Sequence, residues 1–192
     1  MPSSGSTRSP RRSPAVRLYI ALAREDHPKA CTGRRLLRRG LAREVRRIDR
    51  ISPAPVVLDP YAPDPLGRAE RRVALRGGLL AVDCSWNRLT RRGGFPDLAT
   101  PGPASRRRLP ILIATNPQHY GRAAQLNTVE ALAAALYLIG RPTDAARLLE
   151  GFSGSDSFLR VNAERLDAYA LARDADGVRA AERRLFGGAA ER

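Results

Sequence analysis

The run Gly78-Leu-Leu-Ala-Val-Asp83 constrains this chain more than any other stretch. It reads as a short apolar strand released by Gly77-Gly78. At its carboxyl end it delivers a carboxylate, a thiol, a hydroxyl and the only tryptophan together, in Asp83-Cys84-Ser85-Trp86. Open α/β sheets bind their ligands beyond the carboxyl ends of the strands, so this convergence marks a site. Other strand-like runs surround it. Residues 16–22 include the β-branched and aromatic Val16, Tyr19 and Ile20, residues 56–58 are closed by Asp59-Pro60, and residues 109–114 (Leu-Pro-Ile-Leu-Ile-Ala) read as a buried strand. Helical stretches at 34–50 and 67–76 fall between them, which predicts an α/β fold on a mainly parallel sheet.

The first of those stretches carries a second signal. From Arg34 to Arg50, Leu37, Leu41, Val45 and Ile48 fall at helical spacing, while Arg35, Arg39, Arg43, Arg46, Arg47 and Arg50 gather on the other side. This predicts one helix with an apolar face on the sheet and a guanidinium face in solvent. Only Glu44 and Asp49 interrupt the arginines, so phosphate contact competes with the simpler reading of a solvated helix face.

From Asn127 onward the pattern is helical only. Asn127 with Glu130 forms a capping box for a helix through Ile139, and Gly140-Arg-Pro142 stops it. Thr143 opens a second helix through Leu149, Ser155 or Ser157 a third through Ala172, and Asp174 a fourth ending at Gly187-Gly188. The expected organisation is a disordered basic arm over 1–14, an α/β cofactor-binding domain over 15–114 with its limit somewhere in 108–116, and a helical C-terminal domain over 115–192.

Charge narrows the partners. The chain of 192 residues has a formal net charge of +15, and every basic position except Lys29 is arginine. Residues 1–50 hold fourteen Lys or Arg against four Asp or Glu, so ten of the fifteen net charges lie in the first quarter. A polyanion, RNA or DNA, is the usual partner of such a surface. No apolar run approaches the ~18–20 residues of a membrane span, and the first residues lack the apolar core of a signal peptide. The arm is Ser/Pro/Arg-rich like a transit peptide but has no amphipathic face. A cytoplasmic protein without a membrane partner is expected. Cys31 and Cys84 are too few for a disulfide framework, and with only His27 and His119 no cluster has zinc-ligand spacing, so no metal is expected.

Four ordered motifs then carry a resemblance: Lys29-Ala-Cys-Thr-Gly-Arg-Arg-Leu-Leu-Arg-Arg-Gly-Leu-Ala-Arg-Glu44, Val82-Asp-Cys-Ser-Trp86, Arg108-Leu-Pro-Ile-Leu-Ile-Ala-Thr-Asn-Pro-Gln-His-Tyr-Gly121 and Leu126-Asn-Thr-Val-Glu-Ala131. The match covers nearly everything from about residue 16 to 190, including Leu149-Glu-Gly-Phe152 and Phe158-Leu-Arg-Val-Asn162 in the C-terminal helices. The chain resembles the small-subunit rRNA aminocarboxypropyltransferases of archaea and eukaryotes. That resemblance implies a SPOUT-like α/β fold with a deep trefoil knot followed by an all-helical C-terminal domain. Knots are exceptions to ordinary connection rules, and no periodicity announces one. It also implies transfer of the 3-amino-3-carboxypropyl group of S-adenosylmethionine to N3 of a modified uridine, usually N1-methylpseudouridine, in small-subunit rRNA or a pre-ribosomal particle. Methylthioadenosine leaves.

By the same resemblance Thr32 holds the amino-acid end of the cofactor, and the backbone around Val82, Leu109 and Ala124 with Thr128 holds the nucleoside. A larger aromatic residue is common in the family at the position of Ala124, so side-chain packing on the adenosine is lost there. Trp86 is expected to cover the adenine instead, a core tryptophan being the alternative. Asp83 is the catalytic candidate, facing the sulfonium or orienting the uridine; the alternative is a strand-end turn acceptor. Arg35, Arg39, Arg43, Arg46 and Arg47 are the candidate RNA contacts. Cys31 and Cys84 read as small packing residues, since direct transfer needs no covalent intermediate. A monomer is expected, because the helical domain would cover the surface through which SPOUT methyltransferases dimerise. Two other functions compete: a SPOUT-type RNA methyltransferase, and a non-catalytic basic rRNA-binding assembly factor.

Overall fold

Five parallel strands carry the fold: β1 (Leu18–Leu22), β2 (Arg43–Glu44), β3 (Val56–Leu58), β4 (Leu79–Asp83) and β5 (Arg106–Arg107), in the order β2-β1-β4-β3-β5. The computed structural model describes residues 15–23, 31–86, 91, 106–154 and 157–187; the arm expected over 1–14, His27 and Lys29 lie outside them. β4 is central, pairing with β1 from Leu18↔Leu79 to Leu22↔Asp83 and with β3 from Val56↔Leu79 to Leu58↔Ala81. Its side chains alternate between two apolar clusters. Leu79 and Ala81 join Leu18, Ile20, Val56 and Leu58 on one face, and Leu80 joins Tyr19, Ala21, Val57 and Ile48 on the other. Both faces are covered, which explains why the strand is apolar without interruption.

Helices α1 (Thr32–Arg38), α2 (Arg71–Gly77), α3 (Thr128–Leu138), α4 (Pro142–Leu149), α5 (Phe158–Val161), α6 (Ala163–Leu171) and α7 (Ala175–Phe186), with 3-10 turns at Ile48–Arg50 and Arg68–Glu70, complete the described elements. α3 starts as its sequence dictates: the Asn127 side chain accepts from Glu130 N–H and Glu130 returns the bond to Asn127 N–H. It lies against β4 and α4 with Val129, Leu132, Ala133, Ala134, Ala135, Leu136 and Leu138 buried. Residues before and after position 114 contribute to one continuous apolar cluster, from Leu18 to Ala181. Among the described residues no helix is long and apolar enough to cross a membrane.

Three local expectations are corrected. The helix expected over 34–50 ends at Arg38. Gly40 takes φ +67°, its N–H bonds to Leu37 O at 3.0 Å and Leu41 N–H bonds to Leu36 O at 3.0 Å, a Schellman stop. The chain then forms β2 and a 3-10 turn at Ile48–Arg50. The apolar stripe is thereby divided: Leu37 packs on one face of the sheet, Val45 and Ile48 on the other, and Leu41 is exposed. The arginines accordingly do not share one helical face.

The run 109–114 does not join the sheet. Its backbone groups bond to one side with residues 122–124, through Ala114 N–H to Arg122 O and Ala124 N–H to Leu112 O, and to the other with side chains of the C-terminal helices. Finally, the third C-terminal helix is two, α5 and α6. The junction residue Asn162 is buried, and its side chain serves the 109–114 run.

Candidate active site

At the carboxyl ends of β3 and β4 lies a cavity of about 890 Å³. Every residue expected to hold the cofactor lines it: Thr32 at the start of α1, Val82 near the end of β4, Trp86 just beyond it, Leu109, Ala124, and Thr128 at the start of α3. Asp83 lines it too. Residues scattered over nearly a hundred positions meet because parallel strands end on one side of the sheet.

Asp83 is buried, and its environment is specific. The Cys31 thiol donates to Oδ2 at 3.0 Å, and burial first, then this bond, pushes the thiol pKa up to about 12. Cys31 also caps α1 by accepting from Arg34 N–H at 3.3 Å. Gly33 completes the arrangement, because a Cβ at that position would stand 1.9 Å from Asp83 Oδ2. The Cys-Thr-Gly turn is therefore shaped around the carboxylate. Cys31 does more than fill space; it holds Asp83.

The lining residues between Arg108 and Thr128 are held by buried acids and by side chains from the C-terminal helices, and local patterns announced few of these bonds. Glu130, fully buried, accepts from Thr115 N–H at 2.8 Å, Thr115 Oγ1 at 2.9 Å, Asn116 Nδ2 at 2.7 Å and Asn127 N–H at 3.0 Å. Its sequence signal was the capping box; the two bonds to Thr115 and the one to Asn116 had none. Glu182 on α7 grips Arg108 through two bonds of 2.7 Å and accepts Ile111 N–H at 2.9 Å. Tyr169 Oη donates to Ile111 O at 3.0 Å, and burial pushes its pKa up to about 12. Trp86 Nε1 donates to Leu126 O at 2.8 Å, tying the end of β4 to the segment before α3. Ala124 takes φ +60°, a left-handed conformation rare for a residue with a Cβ.

The five candidate RNA contacts separate. Arg35 lines the cavity, where its guanidinium lies 4.7 Å from the centroid of Phe152 and donates to Gly151 O at 3.0 Å. Arg39 lies 4.9 Å from the same ring and donates to Glu150 O at 2.7 Å. Arg47 pairs with Asp49 at 2.6 Å. Arg43 and Arg46 are exposed. His119 lines the cavity with its Nδ1 shielded and unpartnered among the described residues, and Cys84 and Ser85 line it as well.

Residues 56–186 match the family described as Ribosome biogenesis protein, C-terminal. The chain is 43% identical over 156 residues to the 16S rRNA aminocarboxypropyltransferase of Methanopyrus kandleri, covering 79% of this chain and 88% of that one. It is 38% identical over 170 residues to the enzyme of the same name from Methanosarcina acetivorans, covering 88% and 94%. The protein belongs to the small-subunit rRNA aminocarboxypropyltransferase family. The eukaryotic side of the family is also represented, by the 18S rRNA aminocarboxypropyltransferase of Schizosaccharomyces pombe, 37% identical over 160 residues that make up 83% of this chain and 54% of that one. The solved structure of the SAM-dependent rRNA:acp-transferase Tsr3 from Vulcanisaeta distributa superposes with a TM-score of 0.75 at 36% identity, covering 90% of this chain and 89% of that one.

Proposed function

We propose that the protein transfers the 3-amino-3-carboxypropyl group of S-adenosylmethionine to N3 of a modified uridine, N1-methylpseudouridine, in small-subunit rRNA, releasing methylthioadenosine. The observation that carries this is the convergence of Thr32, Val82, Trp86, Leu109, Ala124 and Thr128 on one cavity that also holds Asp83. About 890 Å³ suits a nucleoside joined to an amino acid, and the lining combines apolar side chains with a few polar groups, as small-molecule sites do. Trp86 and Leu109 supply apolar walls, Thr32 a hydroxyl and Asp83 a carboxylate.

The donor supplies an electrophilic methylene beside a sulfonium. In the transfer N3, having lost its proton to solvent, bonds to that methylene as the carbon–sulfur bond breaks and its electron pair goes to sulfur. The protein's work is orientation, since a methyl and two methylenes compete on one sulfur. Thr32 holds the amino-acid end so that its methylene faces the base, and Asp83 faces the sulfonium or orients the uridine. Asp83 speeds transfer only to the extent that its charge acts more strongly in the transition state than in the bound donor.

In this reading residues 15–114 form the cofactor-binding α/β part and residues 115–192 the helical part, joined in a SPOUT-like trefoil-knotted fold. The all-parallel sheet, with residues of the 109–128 segment lining the cavity at the ends of β3 and β4, supports that assignment. The protein acts in the cytoplasm, as a monomer, on rRNA or a pre-ribosomal particle, through exposed arginines such as Arg43 and Arg46.

Donor labelled separately in the carboxyl carbon and in the methyl group tests the reaction. Carboxyl label is expected in small-subunit rRNA and methyl label in released methylthioadenosine. Methyl label in the RNA would identify a methyltransferase, and binding of premodified rRNA with neither label transferred would identify an assembly factor.

A further inference from the structure

Beyond Asp83 and the residues assigned to the donor, the cavity is lined by the segment Asn116-Pro-Gln-His119 and by Phe152 and Ser153, among others. These two segments lie together. A Cβ at Gly154 would stand 2.5 Å from Thr115 O and 3.3 Å from Pro117 Cδ, so the turn that follows Phe152 is pressed against the start of the other segment. Phe152 in turn carries the Arg35 guanidinium at 4.7 Å from its ring centroid, one helical turn beyond Thr32 on α1. Contacts therefore run from the His119 segment to α1, where the amino-acid group of the donor is proposed to lie.

His119 is held in this segment by its backbone. Its N–H donates to Asn116 Oδ1 at 3.0 Å, and Glu130 fixes Asn116 by accepting from Nδ2 at 2.7 Å. Arg122 N–H donates to His119 O at 3.0 Å and closes the turn. The imidazole itself has no hydrogen-bond partner among the described residues, and its two nitrogens differ. Nδ1 is shielded from solvent, whereas Nε2 is not so enclosed. A buried N–H left without a partner is rarer than an unused lone pair, so the neutral ring keeps its hydrogen on Nε2. His119 thus offers the cavity one N–H donor from a braced turn.

We propose that His119 is a further catalytic residue, whose Nε2–H donates to a carbonyl oxygen beside N3 of the acceptor uridine and stabilises the base as N3 loses its proton. This rests on the proposed transfer reaction. N3 of a uracil-type base lies between two carbonyls, and once its proton has gone to solvent the negative charge spreads over N3 and both oxygens. The bond from His119 then becomes charge-assisted, and such bonds are roughly twice as strong as neutral ones. Part of that gain is returned as N3 bonds to the methylene and the carbon–sulfur electron pair passes to sulfur. The charge still on the oxygen in the transition state sets the acceleration. His119 gains and loses no proton in the step, which separates this role from that of a general base.

Single-turnover transfer from carboxyl-labelled donor to premodified small-subunit rRNA tests it, with the full chain, His119→Phe and His119→Gln compared from mildly acidic to mildly alkaline pH, below the range in which Cys31 titrates. Phenylalanine keeps a flat ring and removes the donor; glutamine removes the ring and keeps an N–H at a similar reach. At neutral pH the phenylalanine variant should be slower by about ten- to a hundredfold, as for loss of a hydrogen bond to a charged group, with donor and rRNA affinities within about twofold of the parent. Glutamine should recover most of the loss. The phenylalanine deficit should narrow as pH rises, because the base then ionises without help. A phenylalanine variant at the parental rate would overturn the proposal. So would a glutamine variant as slow as phenylalanine, since an amide cannot take up a proton and its failure would point to a general base. A deficit equal at every pH and accompanied by weakened donor binding would reduce His119 to a support of the 116–119 turn. If the parent transfers no carboxyl label, the proposed reaction itself fails and this role falls with it.

Discussion

Asn162 satisfies both peptide groups of Ile113: its Oδ1 accepts the N–H at 2.8 Å and its Nδ2 donates to the carbonyl at 2.9 Å. The side chain is fully buried and also donates to Phe158 O at 3.0 Å. It thus stands in for a neighbouring strand, on the side of the 109–114 run that faces the C-terminal helices. Asn162→Ala should destabilise the protein by about 2–4 kcal/mol, because two buried backbone groups lose their partners at about 1–3 kcal/mol each and some relaxation follows. Urea unfolding followed by circular dichroism measures it. A change under about 0.5 kcal/mol would mean that water replaces the amide.

Glu182 continues the same arrangement one step along, holding Ile111 N–H and the Arg108 guanidinium. Glu182→Gln keeps an oxygen for Ile111 but removes the charge opposite a half-buried arginine. A hydrogen bond between charged groups is worth about 1.5–3 kcal/mol, and the variant should lose roughly that much stability. Because Arg108, Leu109 and Ile111 line the cavity, donor affinity should fall as well. Stability lost with donor affinity intact would uncouple the last helix from the site.

Cys31 gives the fold an alkaline limit. Its thiol pKa lies near 12 in the folded protein against 9.0 for an unperturbed thiol, raised by burial and by Asp83, with Arg34 acting weakly the other way. Below pH 9 the thiol is protonated in both states and contributes no pH dependence. Between about 9 and 12 only the unfolded chain releases the proton, so folding stability falls as pH rises. Cys31→Ser has no group titrating in that window and should show a shallower fall in melting temperature from pH 9 to 11. Parallel curves for the two proteins would place the thiol outside the influence of burial and Asp83.

The part of the site carried by strand ends and caps was legible in the sequence, and the part carried by long-range side chains was not. The apolar strand that ends in Asp83 and leads on to Trp86, and the Asn127–Glu130 capping box, advertise themselves locally, since the chemistry that forms them lies within a few residues. Motif resemblance added Thr32, Leu109, Ala124 and Thr128, all of which reach the cavity. The helix over 34–50 failed because spacing alone cannot distinguish Leu37 and Ile48 on one helix face from Leu37 and Ile48 on opposite faces of a sheet. Gly40 was the available signal: in the left-handed region it stops a helix, and the spacing argument passed over it. For 109–114 no local signal existed, because the partners that replace a ladder, Asn162 and Glu182, lie some fifty to seventy residues away.

Separation of the five arginines changes which should matter for RNA. Arg43 and Arg46 are exposed, whereas Arg35 and Arg39 brace Phe152 and Arg47 pairs with Asp49. Replacing Arg43 and Arg46 with glutamine should weaken rRNA binding, leaving donor affinity unchanged. Its salt slope should shrink by roughly 0.7–0.9 for each phosphate no longer neutralised. Filter binding across a salt series reads this. An unaltered slope would make both arginines solvated surface.

Trp86 combines two contributions that paired variants separate. Its ring lines the cavity, and its Nε1 donates to Leu126 O at 2.8 Å, so it can act on the donor directly or through the segment before α3. Trp86→Phe keeps an aromatic face and deletes the N–H; Trp86→Ala deletes both. If the ring stacks on the adenine, alanine should cost about 1–3 kcal/mol in donor affinity, and phenylalanine should retain most of it. If the tie to Leu126 dominates, both variants should lose affinity alike, because each lets the wall that carries Thr128 move. Calorimetry with methylthioadenosine isolates the nucleoside end, where the ring would act. A phenylalanine variant as weak as the alanine variant would assign Trp86 to the wall rather than to the adenine.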